Sequence, residues 1–293
     1  MTAQAPVAAV TGASGYLGSR TCVTLESRGW QVVRLVRSRS RSQQPACAYD
    51  LATPVSSEVT ELLHSADVLV HAAYDLSLTR PADIWRVNVN GTRRLLDVAA
   101  DARMRRILVF SSMSAFKGTT QLYGRAKLDI EAITVASGGC VVRPGLVYGE
   151  RPGGMAAALR KLTRLPIVPV IAGVARQYTV REDDLMKVIA ALAAVETLPP
   201  GTISVAHPTP VELQDLLVAL AAQNGRQCRF VPVPWQLVYA LLRTAELLRL
   251  RLPFRADSLL GLVRTAPCVS GGEALTALGV ALQDFSLDPA NPG

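Results

Sequence analysis

The chain has 293 residues, 49% of them apolar and 5% aromatic, with a net charge of +8. That length suits one large domain, or a large domain with a smaller partner, and can bury a sizeable core. The positive charge, nearly all arginine, is spread along the chain without aromatic interleaving or a nucleic-acid module, which argues against DNA or RNA partners; three histidines (64, 71, 207) leave little for a zinc site or a Ser-His-Asp triad, so no metal is expected.

Short apolar runs at 6–11, 31–36, 67–71, 106–111 and 139–143 predict strands, and periodic segments at 15–29, 82–103 and 122–137 predict helices. Their alternation implies an α/β fold with a doubly wound parallel sheet, each strand covered on both faces. After Gly149, prolines 152, 166 and 169 predict loops, followed by a helix at 184–195, a strand near 202–205 and a helix at 212–223. Val231-Pro-Val-Pro-Trp235 reads as a turn, and Trp235 to Phe254 as one long apolar helix. No run reaches the roughly 20 apolar residues of a membrane span. The five cysteines (22, 47, 140, 228, 268) are odd in number and lack metal-ligand spacing, so they read as reduced, buried thiols. With an N-terminus that lacks a basic start and an apolar core, they predict a cytoplasmic protein.

Residues 10–18, Val-Thr-Gly-Ala-Ser-Gly-Tyr-Leu-Gly, follow the first strand and open the first helix. Gly12 permits the tight turn, Gly15 allows backbone to approach a pyrophosphate, and Gly18 lets helix and strand pack closely. Ser14, Tyr16 and Leu17 complete this turn, whose amides and positive dipole end face an anion. Downstream, Tyr123 and Lys127 stand four apart on one helix face. A free phenol has a pKa of about 10, and a neighbouring ammonium is expected to lower it and make Tyr123 a proton shuttle. The plainer account is a core tyrosine beside a solvated lysine.

Together these segments resemble the short-chain dehydrogenase/reductase superfamily in its extended, epimerase/dehydratase-like branch, from about residue 6 to about residue 190. The resemblance extends to Asp67-Val-Leu-Val-His71-Ala72-Ala73, Asn88-Val-Asn-Gly91-Thr92, Phe110-Ser111-Ser112, Val142-Arg143-Pro144 and Tyr148-Gly149. It implies a Rossmann-type domain over 1–150 and a smaller substrate-binding cap over most of 151–293, with about 176–195 returning to the core. It also implies cofactor contacts at Ala72, Ala73, Asn88, Lys127 and Pro144, and at Asp50 and Leu51 beside adenine.

The end of the second strand bears on the cofactor. Val36 stands where members that prefer NAD carry an acid, and Arg37 follows. Arg37, assisted by Ser38 or Arg39, offers a donor fork to a 2′-phosphate, which predicts NADP(H) over NAD. Arg39 and Arg41 also read as a solvated loop. In Phe110-Ser-Ser-Met-Ser-Ala-Phe-Lys-Gly118 the family's Ser/Thr slot falls on Met113 when aligned from Gly118, and on Ser112 when aligned from Phe110. Methionine cannot donate a hydrogen bond, so Ser112 is assigned the role, with Ser114 second on what an extended strand would make the same face.

The expected partner is a small-molecule substrate. Leu146 replaces the Asn that nucleotide-sugar enzymes carry, whereas Arg176 resembles their diphosphate-binding Arg. The apolar C-terminal third tips the reading toward an apolar carbonyl or alcohol, with an epimerase or dehydratase holding NAD(P) tightly as the alternative. The 235–254 helix is read first as a buried cap helix. Its alternative is an apolar pocket wall, or a peripheral membrane face bearing Arg243, Arg249 and Arg251. A homodimer is compatible with this reading.

Overall fold

Seven short strands lie side by side, all parallel, in the order 201–205, 140–144, 107–110, 68–71, 7–11, 31–36 and 46–48. A computed structural model describes residues 4–38, 45–171, 175–248, 250 and 254–286. The first half runs β1 (Val7–Thr11), α1 (Tyr16–Glu26), β2 (Gln31–Val36), β3 (Ala46–Ala48), α2 (Ser57–Ser65), β4 (Val68–His71), α3 (Pro81–Ile84), a π-helical turn (Trp85–Val89), α4 (Asn90–Asp101), β5 (Ile107–Phe110), α5 (Leu122–Ala136) and β6 (Cys140–Pro144). The second half runs β7 (Leu146–Tyr148), α6 (Gly154–Leu162), β8 (Ile167–Ile171), β9 (Arg176–Gln177), β10 (Thr179–Arg181), α7 (Glu182–Ala194), β11 (Gly201–Val205), β12 (Val211–Glu212), α8 (Leu213–Gln223), β13 (Arg229–Val233), α9 (Trp235–Leu247), α10 (Ala256–Val263) and α11 (Gly272–Ala277).

Successive strand residues feed opposite faces of the sheet. Ala8, Val10, Val68, Val70 and Leu108 enter one core with Leu185, Val188 and Ile189 of α7. Ala9, Leu69, Ile107 and Val109 enter the other with Leu95 and Leu96 of α4 and Ile130 of α5. Both faces are therefore dry, which is why these strands read as unbroken apolar runs. The 82–103 helix is not uniform: α3 and α4 are joined by the π-turn, a form that often re-aims side chains near functional sites.

The C-terminal third departs from expectation in three places. The strand near 202–205 forms, but it pairs with β6 as an edge of the main sheet. Pro169 and the Val231–Pro234 stretch do not make only loops and turns. Pro169 lies in β8 and Pro232 in β13, two strands paired in parallel. Among the described residues each has a single partner, so alternate amides point outward and proline is tolerated there. The long apolar helix stops at Leu247, and a separate α10 starts at Ala256, whose amide donates to Glu246 Oε1 at 2.9 Å. It is not a buried cap helix. Only Leu242 and Ala245 of α9 are buried, while Leu237, Leu241 and Leu247 are 64%, 67% and 78% exposed. Arg39, Arg41, Arg249 and Arg251 lie outside the described residues. Cys22, Cys47 and Cys140 are buried, but Cys268 is exposed. Among the described residues no helix is long and apolar enough to cross a membrane.

Candidate active site

The glycine turn sits at the C-terminal end of β1, in the middle of the sheet, where parallel sheets bind their ligands. Gly12 has φ +64°, and a Cβ there would come within 2.7 Å of the Ala73 amide nitrogen. A Cβ at Gly18 would collide with the Gly12 carbonyl. Ser14 and Gly15 are exposed, Tyr16 and Leu17 half-buried, and no side chain caps the first turn of α1. These unclaimed amides at a helix N-terminus, reachable past a residue without a side chain, fit a dinucleotide pyrophosphate.

Thr11 ties this turn to the next. Its hydroxyl oxygen accepts the amides of Ala72 and Ala73 at 3.1 and 3.2 Å and lies 2.7 Å from His71 Nδ1. Thr92 donates to the Asn88 carbonyl at 2.7 Å, so at 2.9 Å it accepts from His71 Nε2. Nδ1 is then left to accept the Thr11 hydroxyl proton. His71 is thus a neutral strut with both nitrogens used, and burial pushes its pKa down to about 3. The Asn88 side chain is wholly buried and spent on the loop after β4. Its Oδ1 accepts from the Asp75 amide at 2.7 Å, and its Nδ2 donates to the Asp75 carbonyl at 3.2 Å. Any contribution of Asn88 to a cofactor site therefore passes through that loop.

Tyr123 and Lys127 share the inner face of α5. Lys127 is buried, and its Nζ donates to the Phe110 carbonyl at the end of β5, at 2.7 Å. It also lies 4.7 Å from the Tyr74 ring centroid and 5.9 Å from that of Tyr123. Burial pulls the ammonium down to about 8. The expected lowering of the Tyr123 phenol does not appear: burial pushes it up to about 12, with the nearby Ser112 hydroxyl pulling the other way. The reason is geometric, since the ammonium is turned to a carbonyl rather than to the phenolic oxygen.

β5 ends at Phe110, so residues 111–114 do not continue an extended strand, and Ser112 and Ser114 do not share a strand face. Met113 is buried against Ala206 and Ala266. Ser112 reaches Tyr123 and also accepts the Ser114 amide at 3.1 Å. Ser111 turns inward and donates to Glu131 at 2.5 Å, and the same carboxylate holds Arg143 Nε at 2.7 Å.

The remaining predicted residues are more scattered. Asp50 and Leu51 follow β3. Asp50 accepts the Ala52 amide, and the Leu51 carbonyl accepts from Arg94. A Cβ at Gly91 would collide with that carbonyl, so this glycine permits the close approach. Pro144 ends β6, its carbonyl receiving the Met113 amide at 3.3 Å. Arg37 is 75% exposed and only 3.9 Å from Asp75 Oδ2. Arg176 is engaged by Glu212 at 2.7 Å.

Two neighbours of the site were not singled out in the sequence. The Tyr74 ring meets the Tyr123 ring edge to face at 5.1 Å. Asp257, more than a hundred residues downstream, accepts the amides of Leu122 and Tyr123 at 2.9 and 3.3 Å. Tyr74 follows directly on His71-Ala72-Ala73 and was legible as a neighbour of that turn. Nothing in the sequence marks Asp257.

The model of the NAD dependent epimerase/dehydratase family matches residues 8–205. A ceramide reductase of Caulobacter vibrioides is 28% identical over 186 residues, which make up 61% of this chain and 58% of that protein. A 4-hydroxy-2-methyl-3-oxo-4-farnesyl-3,4-dihydroquinoline-1-oxide ketoreductase of Stigmatella aurantiaca is 27% identical over 265 residues, 81% of this chain and 79% of that protein. The structure of MoeE5 in complex with UDP-glucuronic acid and NAD superposes with a TM-score of 0.72 at 19% identity, covering 96% of this chain and 94% of that one. At that identity the likeness is one of fold. The family match runs from the first strand of the sheet to its edge strand β11, too far to reflect a single shared turn. The chain belongs to the NAD-dependent epimerase/dehydratase family, and is an NAD(P)-dependent enzyme of the epimerase, dehydratase or reductase kind.

Proposed function

We propose that the protein is an NADP(H)-dependent oxidoreductase that reduces a carbonyl, or oxidises the corresponding alcohol, on a small apolar substrate. The observation that carries this reading is Tyr123 set beside the buried Lys127, whose Nζ lies 5.9 Å from its ring centroid, with Ser112 close enough to the phenol to favour its ionised form. When bound, the nicotinamide cofactor supplies the hydride. A phenol held near 12 stays protonated at neutral pH, so Tyr123 acts as the acid and donates its proton to the substrate oxygen. Ser112 holds that oxygen, and the Lys127 charge offsets the phenolate left on Tyr123.

Gly12, Ser14, Gly15, Tyr16, Leu17 and Gly18 take the pyrophosphate, Asp50 and Leu51 take adenine, and Ala72, Ala73 and Pro144 line the rest of the cofactor's path. Arg37 supports the NADP(H) preference, being exposed and only loosely engaged, and so able to turn to a 2′-phosphate. The two relatives named as reductases support the net redox reading, and the second name specifies a substrate with an apolar farnesyl group. A nucleotide-sugar epimerase or dehydratase is the second reading, favoured by the family description. Against it, Arg176 is already paired with Glu212, and Leu146 stands in place of an amide donor.

The deciding experiment follows reduced-nicotinamide absorbance with purified protein and a panel of carbonyl compounds and sugar nucleotides. Stoichiometric NADPH consumption with a carbonyl compound supports the reductase. Tightly bound cofactor, with sugar-nucleotide conversion and no net consumption, overturns it.

A further inference from the structure

Three features lie outside the roles assigned so far: the exposed leucines of α9, the buried Ser111–Glu131–Arg143 cluster, and Tyr74. Nothing in the structure shows what covers α9, and the carboxylate of the cluster is satisfied from both sides. Tyr74 is different, because it touches both members of the Tyr123–Lys127 pair.

We propose that Tyr74 is a positioning residue whose ring face seats the Lys127 ammonium while the ring also packs edge to face on Tyr123. This role rests on the reductase reading above. The ammonium lies 4.7 Å from the Tyr74 centroid, closer than to Tyr123 itself, and the two rings meet at 78°. A cation over an aromatic face is attracted to the ring quadrupole, and more strongly where water is excluded. Lys127 is such a case, 5% exposed, with one proton on the Phe110 carbonyl. Asn88 of the π-turn clamps the backbone of Asp75, the next residue after Tyr74, so the segment that carries the ring is anchored to that turn. The other titratable groups facing Lys127 are Tyr123 and Glu131 on its own helix and His71 on β4. His71 is neutral, and Glu131 is held by Arg143 and Ser111. The π face is thus the neighbour most easily altered without changing a formal charge.

The chain has four lysines, at 117, 127, 161 and 187, so 13Cε-lysine NMR can assign Lys127 from one Lys127→Arg spectrum. The protein is titrated without substrate as wild type, Tyr74→Phe and Tyr74→Leu. Leucine fills much of the volume but has no π face. We expect Tyr74→Leu to weaken proton binding at Lys127 roughly 2- to 30-fold, the range of one desolvated cation–π contact, and Tyr74→Phe to leave it near wild type. The basic limb of the kcat profile should move to lower pH in Tyr74→Leu alone. If Tyr74→Leu does not fold, Tyr74→Met carries the same titration. An unchanged Lys127 titration in the folded aliphatic variant, or an equal loss in Tyr74→Phe, overturns the proposal. The titration needs no turnover, so failure of the reductase reading shows separately, as sugar-nucleotide conversion without net NADPH consumption.

Discussion

Asp257 accepts the backbone amide of Tyr123 at 3.3 Å, and that of Leu122 at 2.9 Å. The residue preceding α5, Gln121, makes no capping bond of its own. The cap of the helix that carries Tyr123 and Lys127 therefore comes from α10, in the C-terminal part of the chain. Beside it, Arg255 donates to the carbonyls of Leu76 and Leu78, fastening the loop after β4 to the same segment.

Losing a helix cap costs about 0.5–2 kcal/mol. Asp257→Ala should lower stability by about that amount, and turnover should fall with it as the first turn of α5 loosens. Asp257→Asn, which keeps an acceptor for the Leu122 amide but turns an NH2 toward that of Tyr123, should recover part of both. Thermal unfolding and kcat measured on the two variants check this; equal losses in both would assign the effect to charge rather than to the cap.

Tyr123→Phe should fold and bind cofactor normally but turn over roughly 10²–10⁴-fold more slowly, the scale of a positioned acid or base. Steady-state rates alongside cofactor titration measure it. Turnover near wild type would remove Tyr123 from the chemistry.

Ser112→Ala should reduce turnover by about 10- to 10³-fold, as loss of one oriented donor does. Ser114→Ala should do much less, because the Ser114 amide, not its hydroxyl, meets Ser112. The opposite ranking in folded variants would transfer the role to Ser114.

Arg37→Ala should weaken NADPH binding by about 1.5–3 kcal/mol, the loss of one charge-assisted contact, and leave NADH nearly unchanged. Fluorescence titration with both cofactors reads the difference. Tighter wild-type binding of NADH than of NADPH would refute the preference.

Burial lowers the Lys127 pKa from 10.5 to about 8. Below about 8 the lysine is protonated folded and unfolded alike, and the cost of its burial is constant. Between about 8 and 10.5 the unfolded chain holds the proton that the folded chain has released, so stability rises with pH through that window, by up to about 3 kcal/mol. Denaturant unfolding from pH 7 to 10.5 should show this rise in wild type relative to Lys127→Met. Parallel curves would mean that the folded protein does not depress this lysine.

The parallel sheet was legible in the sequence because each strand is buried on both faces and so reads as one short apolar run between polar loops. The glycine turn was legible because Gly12 and Gly18 have nowhere to put a Cβ, a constraint that local sequence states directly. The Tyr123–Lys127 pair was legible because helical periodicity alone puts four-apart residues on one face. Other features depend on groups far apart in sequence meeting in space. The C-terminal prolines became strand residues only because β8 and β13 found each other as single-partner strands. The 201–205 strand joined the main sheet only because β6 offered a free edge. The phenol rose because burial disfavours the phenolate, and the lysine expected to offset this is turned to the Phe110 carbonyl. In the first half of the chain, local sequence determined where the turns, strands and facing side chains lie. Only tertiary structure, through burial and long-range hydrogen bonds such as that from the Tyr123 amide to Asp257, decided their protonation and alignment.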